Sequence, residues 1–136
     1  MTLAQALASR STCAVEPVGA VLTSVDFRKV LAIGYRNNAA GLPNRCDREA
    51  GSHEAGTEGC GCLHAEENAV INCDAPRSEP KIALVTKMPC RMCAKRLINL
   101  GGLQDLYVPS TLPTSASDAA TIELLGSVGI RVHSVG

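Results

Sequence analysis

Aromatic residues are scarce in this sequence, which contains one Phe, two Tyr and no Trp among its 136 residues. Proteins that bind single-stranded nucleic acid by base stacking need aromatic platforms, and only Phe27, Tyr35 and Tyr107 are available here. An excess of positive charge is also lacking, because 13 basic residues balance 13 acidic ones. A basic face is the usual electrostatic footprint of nucleic-acid-binding proteins, so the composition argues against that class and predicts no nucleic-acid partner.

Long apolar runs and a secretory leader are lacking as well. No apolar stretch approaches the roughly 20 residues of a membrane-spanning helix, so we expect no membrane association. The opening segment places its basic residue, Arg10, after the apolar stretch, whereas a secretory signal places it before. We therefore expect a cytoplasmic, reducing setting. There, an odd number of cysteines, seven in this chain, indicates metal binding or catalysis rather than a disulfide framework.

The pattern of short apolar runs predicts a single domain over residues 1–136 with an α/β fold. A β-β-α-β-α-β-α-β order implies parallel pairing of the later strands and an antiparallel first pair. We expect a three-layer α/β/α sandwich around a five-stranded mixed sheet, and a polar, Gly-rich loop over 36–62 of the kind that often carries function. The expected strands are 18–24, 29–35, 81–87, 105–109 and 129–135, and the expected helices are 3–9, 64–73, 90–100 and 118–125.

Two short motifs carry the candidate chemistry. Cys90 and Cys93 lie three residues apart where a helix is expected to begin, so both sulfur atoms point the same way and the helix N-terminus favours their thiolate forms. His64 begins a different expected helix. A neutral imidazole and two thiolates form a tetrahedral zinc set with one position left open, which is what distinguishes a catalytic zinc site from a structural one.

Glu66 is the candidate general acid and base. It follows His64 by two residues, so its carboxylate can reach the water in the open position without binding the metal. Zinc lowers the pKa of that water, and Glu66 would move its proton to a ring nitrogen and then to a leaving amine. The pattern H-x-E followed by P-C-x-x-C is the signature of zinc-dependent nucleobase deaminases.

At these residues the chain resembles the cytidine deaminase superfamily, and most closely its deoxycytidylate (dCMP) deaminases. Free-cytidine deaminases usually carry Cys at the position of His64, and Asn68 favours the dCMP branch over the tRNA adenosine deaminases. The resemblance implies hydrolysis of the nucleotide dCMP to dUMP and ammonia by a homo-oligomer. It is carried by four segments, RSTCAVEPVGAVL at 10–22, IGYRNNAAGLPNRC at 33–46, HAEENAV at 64–70 and MPCRMCAKRLINLGG at 88–102.

The expected substrate loop departs from the family pattern. That pattern reads Gly-Tyr-Asn-Gly, with an asparagine that is expected to contact the sugar, whereas Arg36 occupies its position if the register to Gly41 is kept. Either Asn37 or Asn38 takes over the role, or the choice of substrate has changed. A guanidinium can hold a phosphate through two parallel hydrogen bonds, so Arg36 is also our candidate for binding the phosphate of a nucleotide.

Three further residues complete the expected substrate site. Ala65 and Pro89 belong to the two motifs, next to the expected zinc ligands. Tyr107 lies at the carboxyl end of an expected strand, where α/β sheets place ligands. Its ring could contact the base of the substrate, and packing in the core is an equally well supported alternative.

The remaining cysteines near the substrate loop suggest a second metal. The resemblance implies this possibility, because some dCMP deaminases carry a second, structural zinc beside the loop that precedes the histidine motif. The alternative is that these cysteines are small buried apolar residues or spare thiols. The candidate ligands are Cys13, Cys46, His53, Cys60 and Cys62.

Two other functions stay open at this point. The chain could deaminate another free cytosine or purine compound or a modified nucleotide, with a nucleic-acid deaminase less favoured by the neutral charge and scarce aromatics. It could also be a zinc-stabilised binding module without catalysis. Glu66 discriminates between the classes, because a structural zinc site has four protein ligands and no need of a free carboxylate.

Overall fold

Five strands and four helices make up the computed structural model, which describes residues 1–13, 16–44, 46, 61–110 and 115–136. In chain order the elements are α1 (Thr2–Ala8), β1 (Gly19–Ser24), β2 (Val30–Tyr35), α2 (Ala65–Asn72), β3 (Lys81–Val85), α3 (Arg91–Leu100), β4 (Leu103–Pro109), α4 (Ala116–Gly126) and β5 (Arg131–Val135). Each predicted element is present, with boundaries that differ by a few residues.

The strands form one mixed sheet in the order β2-β1-β3-β4-β5. Strand β1 pairs antiparallel with both β2 and β3, whereas β3, β4 and β5 pair in parallel. The predicted mixture of parallel and antiparallel pairs is therefore confirmed. Because β1 opposes both of its neighbours, β2 runs in the same direction as β3, β4 and β5, and the carboxyl ends of these four strands meet at one edge of the sheet.

Helices cover both faces of the sheet, which confirms the predicted three layers. On one face α2, α3 and α4 pack over the main apolar core, to which they contribute Ala69, Ala94, Leu97 and Leu125. On the other face α1 packs through Ala4 and Leu7 against Val21 of β1. Full burial of one leucine side chain stabilises a fold by about 2 kcal/mol, so the larger layer holds most of the apolar stabilisation.

Gly34 sets the position of α2 on the sheet. A Cβ atom at this residue would lie 2.3 Å from the carbonyl oxygen of Ala65 and 2.5 Å from the backbone nitrogen of Ala69. Such separations are far below van der Waals contact, so only glycine lets α2 come this close to β2. The first turn of α2, which holds His64 and Glu66, is thereby fixed next to the end of β2.

A buried lysine ties the segment after α2 to the end of α3. Lys81 is fully buried, and its Nζ donates to the carbonyl oxygens of Pro76 (2.7 Å), Glu79 (2.9 Å) and Gly101 (2.8 Å). Three acceptors offset the cost of removing an ammonium group from water.

The start of α4 lies near the candidate site. Ser115 caps the helix. The Ser115 hydroxyl accepts from the backbone nitrogen of Asp118 (3.1 Å), and the Asp118 carboxylate accepts from that of Ser115 (3.2 Å). These bonds satisfy backbone donors that the first turn leaves open.

Among the described residues, no helix has both the length and the apolar character to cross a membrane.

Candidate metal centre

His64, Cys90 and Cys93 come together at the carboxyl edge of the sheet. His64 immediately precedes α2, and Cys90 immediately precedes α3, which contains Cys93. The Nδ1 atom of His64 lies 3.3 Å from Sγ of Cys93 and 3.7 Å from Sγ of Cys90. All three potential ligand atoms lie within 4.8 Å of one another. We call these residues the open cluster, because Cys90 is exposed and His64 is half-buried.

The spacing of these atoms fits zinc. Bonds of ordinary Zn–S and Zn–N length at a tetrahedral angle separate a sulfur from a nitrogen by about 3.5 Å, which falls between the two observed distances. Neutral imidazole and cysteine thiolates are preferred zinc ligands, and three protein ligands leave one coordination position for water or substrate. The donor set therefore fits a catalytic zinc ion.

The electrostatics of the cluster also favour a cation. Burial lowers the pKa of His64, with the nearby charge of Arg36 acting in the same direction, so its imidazole is neutral and can bind a metal. Burial raises the pKa of the Cys93 thiol, and the carboxylate of Glu66 adds to that effect. A thiolate at this position needs a compensating positive charge, which a zinc ion supplies.

The carboxyl group of Glu66 lies against the open cluster. Glu66 is in the first turn of α2, is only 5% exposed and hydrogen-bonds to Cys93. Burial raises the pKa of Glu66, and this effect outweighs the hydrogen bonds that act in the opposite direction. A buried carboxyl group with a raised pKa beside a candidate metal centre is typical of a catalytic acid or base.

An ion pair joins the helix of the histidine to the helix of the cysteines. Glu67 accepts a hydrogen bond from the backbone nitrogen of His64 through Oε1 (3.1 Å), and its Oε2 lies 3.4 Å from Nη2 of Arg96 on α3. Arg96 follows Cys93 by three residues. Glu67 therefore holds the backbone of one candidate ligand while it is anchored to the helix that contains another. The sequence motifs did not single out either residue.

A cavity of about 350 Å³ opens beside the cluster. Arg36 lies in its wall, with Nη2 3.5 Å from Nε2 of His64, so the structure brings this predicted substrate residue to the candidate site. Pro89 is buried in the same wall. Lys87 also lines the cavity, and it was missed because no motif includes it. The complete lining is Arg36, His64, Lys87, Met88, Pro89, Cys90, Ser115, Ser117 and Asp118.

The structure does not bring the other predicted substrate residues to this cavity. Asn37 and Asn38 line a different cavity, of about 340 Å³, in which Asn37 accepts a hydrogen bond from Asn68 (2.9 Å). The side chain of Ala65 is fully buried in the main core. Only the backbone of Ala65, which adjoins His64, is near the site.

Tyr107 lies on the opposite face of the sheet. It pairs in register with Leu84, which pairs with Val21, and paired side chains share a face. Val21 packs under α1, away from α2 and α3. The Tyr107 ring stacks on His133, with ring centres 4.7 Å apart, and contacts Phe27 edge-on. Its position corrects the expectation that it contacts the base, and agrees with the packing alternative.

A second set of cysteines forms what we call the closed cluster. The sulfur atoms of Cys13, Cys46 and Cys62 lie within 4.8 Å of one another, and all three residues are buried. Two of the five predicted ligands of a second metal, His53 and Cys60, lie outside the described residues. The remaining three are thus brought together as the hypothesis of a second metal requires.

Comparison with known proteins identifies the family. Residues 1–109 match the family described as the cytidine and deoxycytidylate deaminase zinc-binding region. The chain is 32% identical over 140 residues to the deoxycytidylate deaminase of Schizosaccharomyces pombe, a match that covers 98% of this chain and 42% of that protein. The chain thus spans about two fifths of the length of that relative. A deoxycytidylate deaminase from Mycobacterium phage D29 is 32% identical over 116 residues, which cover 79% of this chain and 88% of that one.

A solved structure has the same fold. The dCMP deaminase of cyanophage S-TIM5, solved in complex with dCMP and dUMP, superposes with a TM-score of 0.76 at 24% sequence identity. The match covers 98% of this chain and 92% of the phage protein.

Proposed function

The chain belongs to the cytidine and deoxycytidylate deaminase family, and from that premise we propose that it hydrolyses dCMP to dUMP and ammonia with zinc at the open cluster. One observation carries the proposal: three zinc-type ligands and a buried carboxyl group meet at the side of a cavity large enough for a small ligand. Relatives that are named deoxycytidylate deaminase support the choice of substrate.

In this proposal His64, Cys90 and Cys93 hold the metal. A zinc ion bound there would lower the pKa of a water molecule in its open position to about 7. The three ligands come from two helix starts that the packing of α2 on β2 and the Glu67–Arg96 ion pair fix in place. Such support orients the ligands, and its loss typically costs about 10–100-fold in metal affinity or activity.

Glu66 moves the protons. Its carboxylate accepts a proton from the attacking water and delivers it to N3 of the cytosine ring, where that proton stays in dUMP. The carboxylate then accepts the second proton from the hydroxyl group formed at C4 and delivers it to N4 as the C4–N4 bond breaks. Water and dCMP are thereby converted to dUMP and ammonia, and Glu66 returns to its starting form. Burial supports this role, because it raises the pKa of Glu66 above its usual range, and a raised pKa is typical of a carboxyl group that transfers protons.

The closed cluster would hold a second, structural zinc. Cys13, Cys46 and Cys62 supply three thiolates in a buried position, and either His53 or Cys60 would supply the fourth ligand of a complete tetrahedral set. A metal there would join the segment before β1 to the loop before α2. A single domain over 1–136, a homo-oligomeric state and a cytoplasmic location stay predictions.

The test of this function is ammonia release by zinc-loaded protein from a panel of compounds. The panel contains dCMP, CMP, deoxycytidine, cytosine and the matching adenine compounds. We expect the highest kcat/KM for dCMP. Equal efficiency on dCMP and deoxycytidine would defeat the nucleotide assignment, and a better substrate elsewhere in the panel would replace it. Full zinc content with no ammonia from any compound would instead favour a non-catalytic zinc-stabilised module.

A further inference from the structure

Three charged side chains from separate segments meet at the rim of the open cluster's cavity. Glu16 precedes β1, Arg36 follows β2 and Lys87 follows β3. The Oε2 atom of Glu16 lies 2.5 Å from Nζ of Lys87 and 3.8 Å from Nη1 of Arg36. One carboxylate thus lies between two cations, and both cations line the cavity that contains His64 and Cys90.

Among the residues that the structure describes, few hydrogen-bond acceptors face the guanidinium group of Arg36. Its side chain is 14% exposed, and its buried Nε has no partner among the described residues. Its Nη2 faces Nε2 of His64 at 3.5 Å, but if Nδ1 of His64 binds the metal, Nε2 carries the hydrogen and is itself a donor. Within the described ranges, the acceptor that remains is Glu16, at the long distance of 3.8 Å from Nη1.

We propose that the substrate phosphate binds between Arg36 and Lys87, and that Glu16 occupies this anion position when no nucleotide is bound. The inference rests on the proposed function, because it assumes a nucleotide substrate. A phosphomonoester carries about −1.5 to −2 charges at neutral pH, which is more than one carboxylate supplies to two cations. Its oxygens could accept from the planar guanidinium through two parallel bonds, which Glu16 does not form.

The remaining charge in the cavity wall supports this placement. Asp118, at the start of α4, is the acidic residue among those that line the cavity, and its carboxylate accepts a hydrogen bond from the backbone nitrogen of Ser115. A phosphate beside Asp118 would meet a like charge, whereas beside Arg36 and Lys87 it would meet two opposite charges. The part of the cavity wall formed by Arg36 and Lys87 is therefore the favoured position for the phosphate dianion.

Glu16 can be displaced at small cost. The side chains of Glu16 and Lys87 are 38% and 47% exposed, and an exposed ion pair contributes little to stability. A nucleoside has no group to exchange for Glu16, so it binds while the carboxylate stays in place. Glu16 therefore determines the preference between nucleotides and nucleosides. It lowers the affinity for nucleotides, because the phosphate must displace it, and it pairs with Arg36 and Lys87 when a nucleoside is bound.

The experiment measures the affinity of the zinc-loaded protein for dUMP and for deoxyuridine, which differ only in the phosphate. The readout is the ratio of the deoxyuridine Kd to the dUMP Kd from isothermal titration calorimetry, which requires no turnover. The variants are Glu16→Gln and Lys87→Gln, both at partly exposed side chains, with Lys29→Gln in the exposed β1–β2 turn as the matched control. Thermal melts verify that each variant is folded.

We expect Lys87→Gln to lower the Kd ratio about tenfold or more, because the phosphate loses a hydrogen bond to a charged group. Glu16→Gln should raise the ratio several-fold, and Lys29→Gln should leave it unchanged. An unchanged ratio in both rim variants overturns the proposal, as does failure of the wild-type protein to prefer dUMP. Weaker dUMP binding in Glu16→Gln would also overturn it, because Glu16 would then orient the cations instead of competing with the phosphate.

The outcome separates this inference from the proposed function. A protein that prefers dUMP through Lys87 but releases no ammonia from dCMP keeps the phosphate site and loses the deaminase. A protein that deaminates dCMP, with the same Kd ratio in every variant, keeps the deaminase and loses the phosphate site.

Discussion

The open and closed clusters offer similar ligand atoms in very different surroundings. The open cluster combines one imidazole with two sulfur atoms, lines a cavity and includes the exposed Cys90. The closed cluster combines three sulfur atoms, and its residues are between 0% and 9% exposed. The described residues include two buried carboxyl groups, those of Glu66 and Asp105. Glu66 adjoins the open cluster, and neither group is at the closed cluster.

Under the proposed assignment of the two clusters, ligand chemistry alone does not distinguish a catalytic metal site from a structural one. A structural zinc needs four protein ligands and protection from solvent, whereas a catalytic zinc needs an accessible position and a group that moves protons. The cavity and Glu66 supply both at the open cluster. The clusters also differ in the elements that hold their ligands. The ligands of the open cluster lie at the starts of two helices, whereas those of the closed cluster lie in a segment before β1 and in the loop before α2.

Among the substitutions that test the comparison between the two clusters, Glu66→Gln should have the largest effect on activity. The amide has nearly the size of the carboxyl group but cannot move protons, so kcat for dCMP should fall by about 10³–10⁴-fold. Zinc content should stay at the wild-type value, because Glu66 is not a ligand. The control is Glu123→Gln on the exposed side of α4, which should change neither value. Near-normal turnover in Glu66→Gln would remove this residue from the mechanism.

The open cluster could be predicted from the sequence because its geometry is local. His64 and Glu66 share one helix turn, and Cys90 and Cys93 share another, so spacing along the chain fixes how these atoms are oriented. Glu16 and Lys87 are 71 residues apart, and only the sheet brings them together. Their contact leaves no periodic signal in the sequence, and the same holds for the ion pair between Glu67 and Arg96.

The face of a strand was harder to predict than the strand itself. Tyr107 is in the expected strand, but side chains alternate between faces at every residue, so an uncertainty of one residue reverses the assignment. The register with Leu84 and Val21 decides it. The strand order could not be predicted from the sequence either, because no local pattern indicates that β1 lies between β2 and β3.

A smaller effect, confined to the closed cluster, is expected from Cys46→Ser. A serine at this fully buried position replaces a metal ligand and buries a hydroxyl group, so the free energy of unfolding should fall by about 2 kcal/mol or more. One zinc per chain should be lost, while kcat stays near normal. Metal analysis and urea denaturation measure these changes, with Cys73→Ser, outside both clusters, as the control. Unchanged zinc content would reject the second metal.

Removal of the ion pair beside the open cluster should weaken metal binding without abolishing it. In Arg96→Ala, Glu67 loses its anchor on α3, so transfer of zinc to a chelator should be about tenfold faster, at the low end of what second-layer contacts contribute. Lys95→Ala, at an exposed neighbouring position on α3, is the matched control. Equal rates in the two variants would mean that the pair contributes nothing to the metal centre.

The smallest effect is expected far from both clusters, at Asp105 of β4. Burial of Asp105 acts to raise its pKa, but hydrogen bonds from His133 (2.7 Å) and Arg131 (2.9 Å) outweigh it and hold the pKa below its usual range. A depressed pKa stabilises the fold above the pKa of the unfolded chain, and this contribution disappears as pH falls through the folded value.

Asp105→Asn should therefore lower the free energy of unfolding by about 1 kcal/mol at pH 7, and the difference from wild type should shrink between about pH 5 and about pH 2. Urea denaturation across that range measures it. Zinc content should not change, which gives a baseline for the variants at the two clusters. A difference that grows at low pH would contradict the assigned direction of the pKa shift.

The most direct test of the division between the clusters is a zinc titration of metal-free protein with dCMP deamination measured at each addition. We predict that the Cys46→Ser variant reaches full activity at one zinc per chain, and that the Cys93→Ser variant stays inactive at every zinc concentration. Activity that returns in Cys93→Ser, or activity that Cys46→Ser abolishes while one zinc stays bound, would contradict the assignment of catalysis to His64, Cys90 and Cys93.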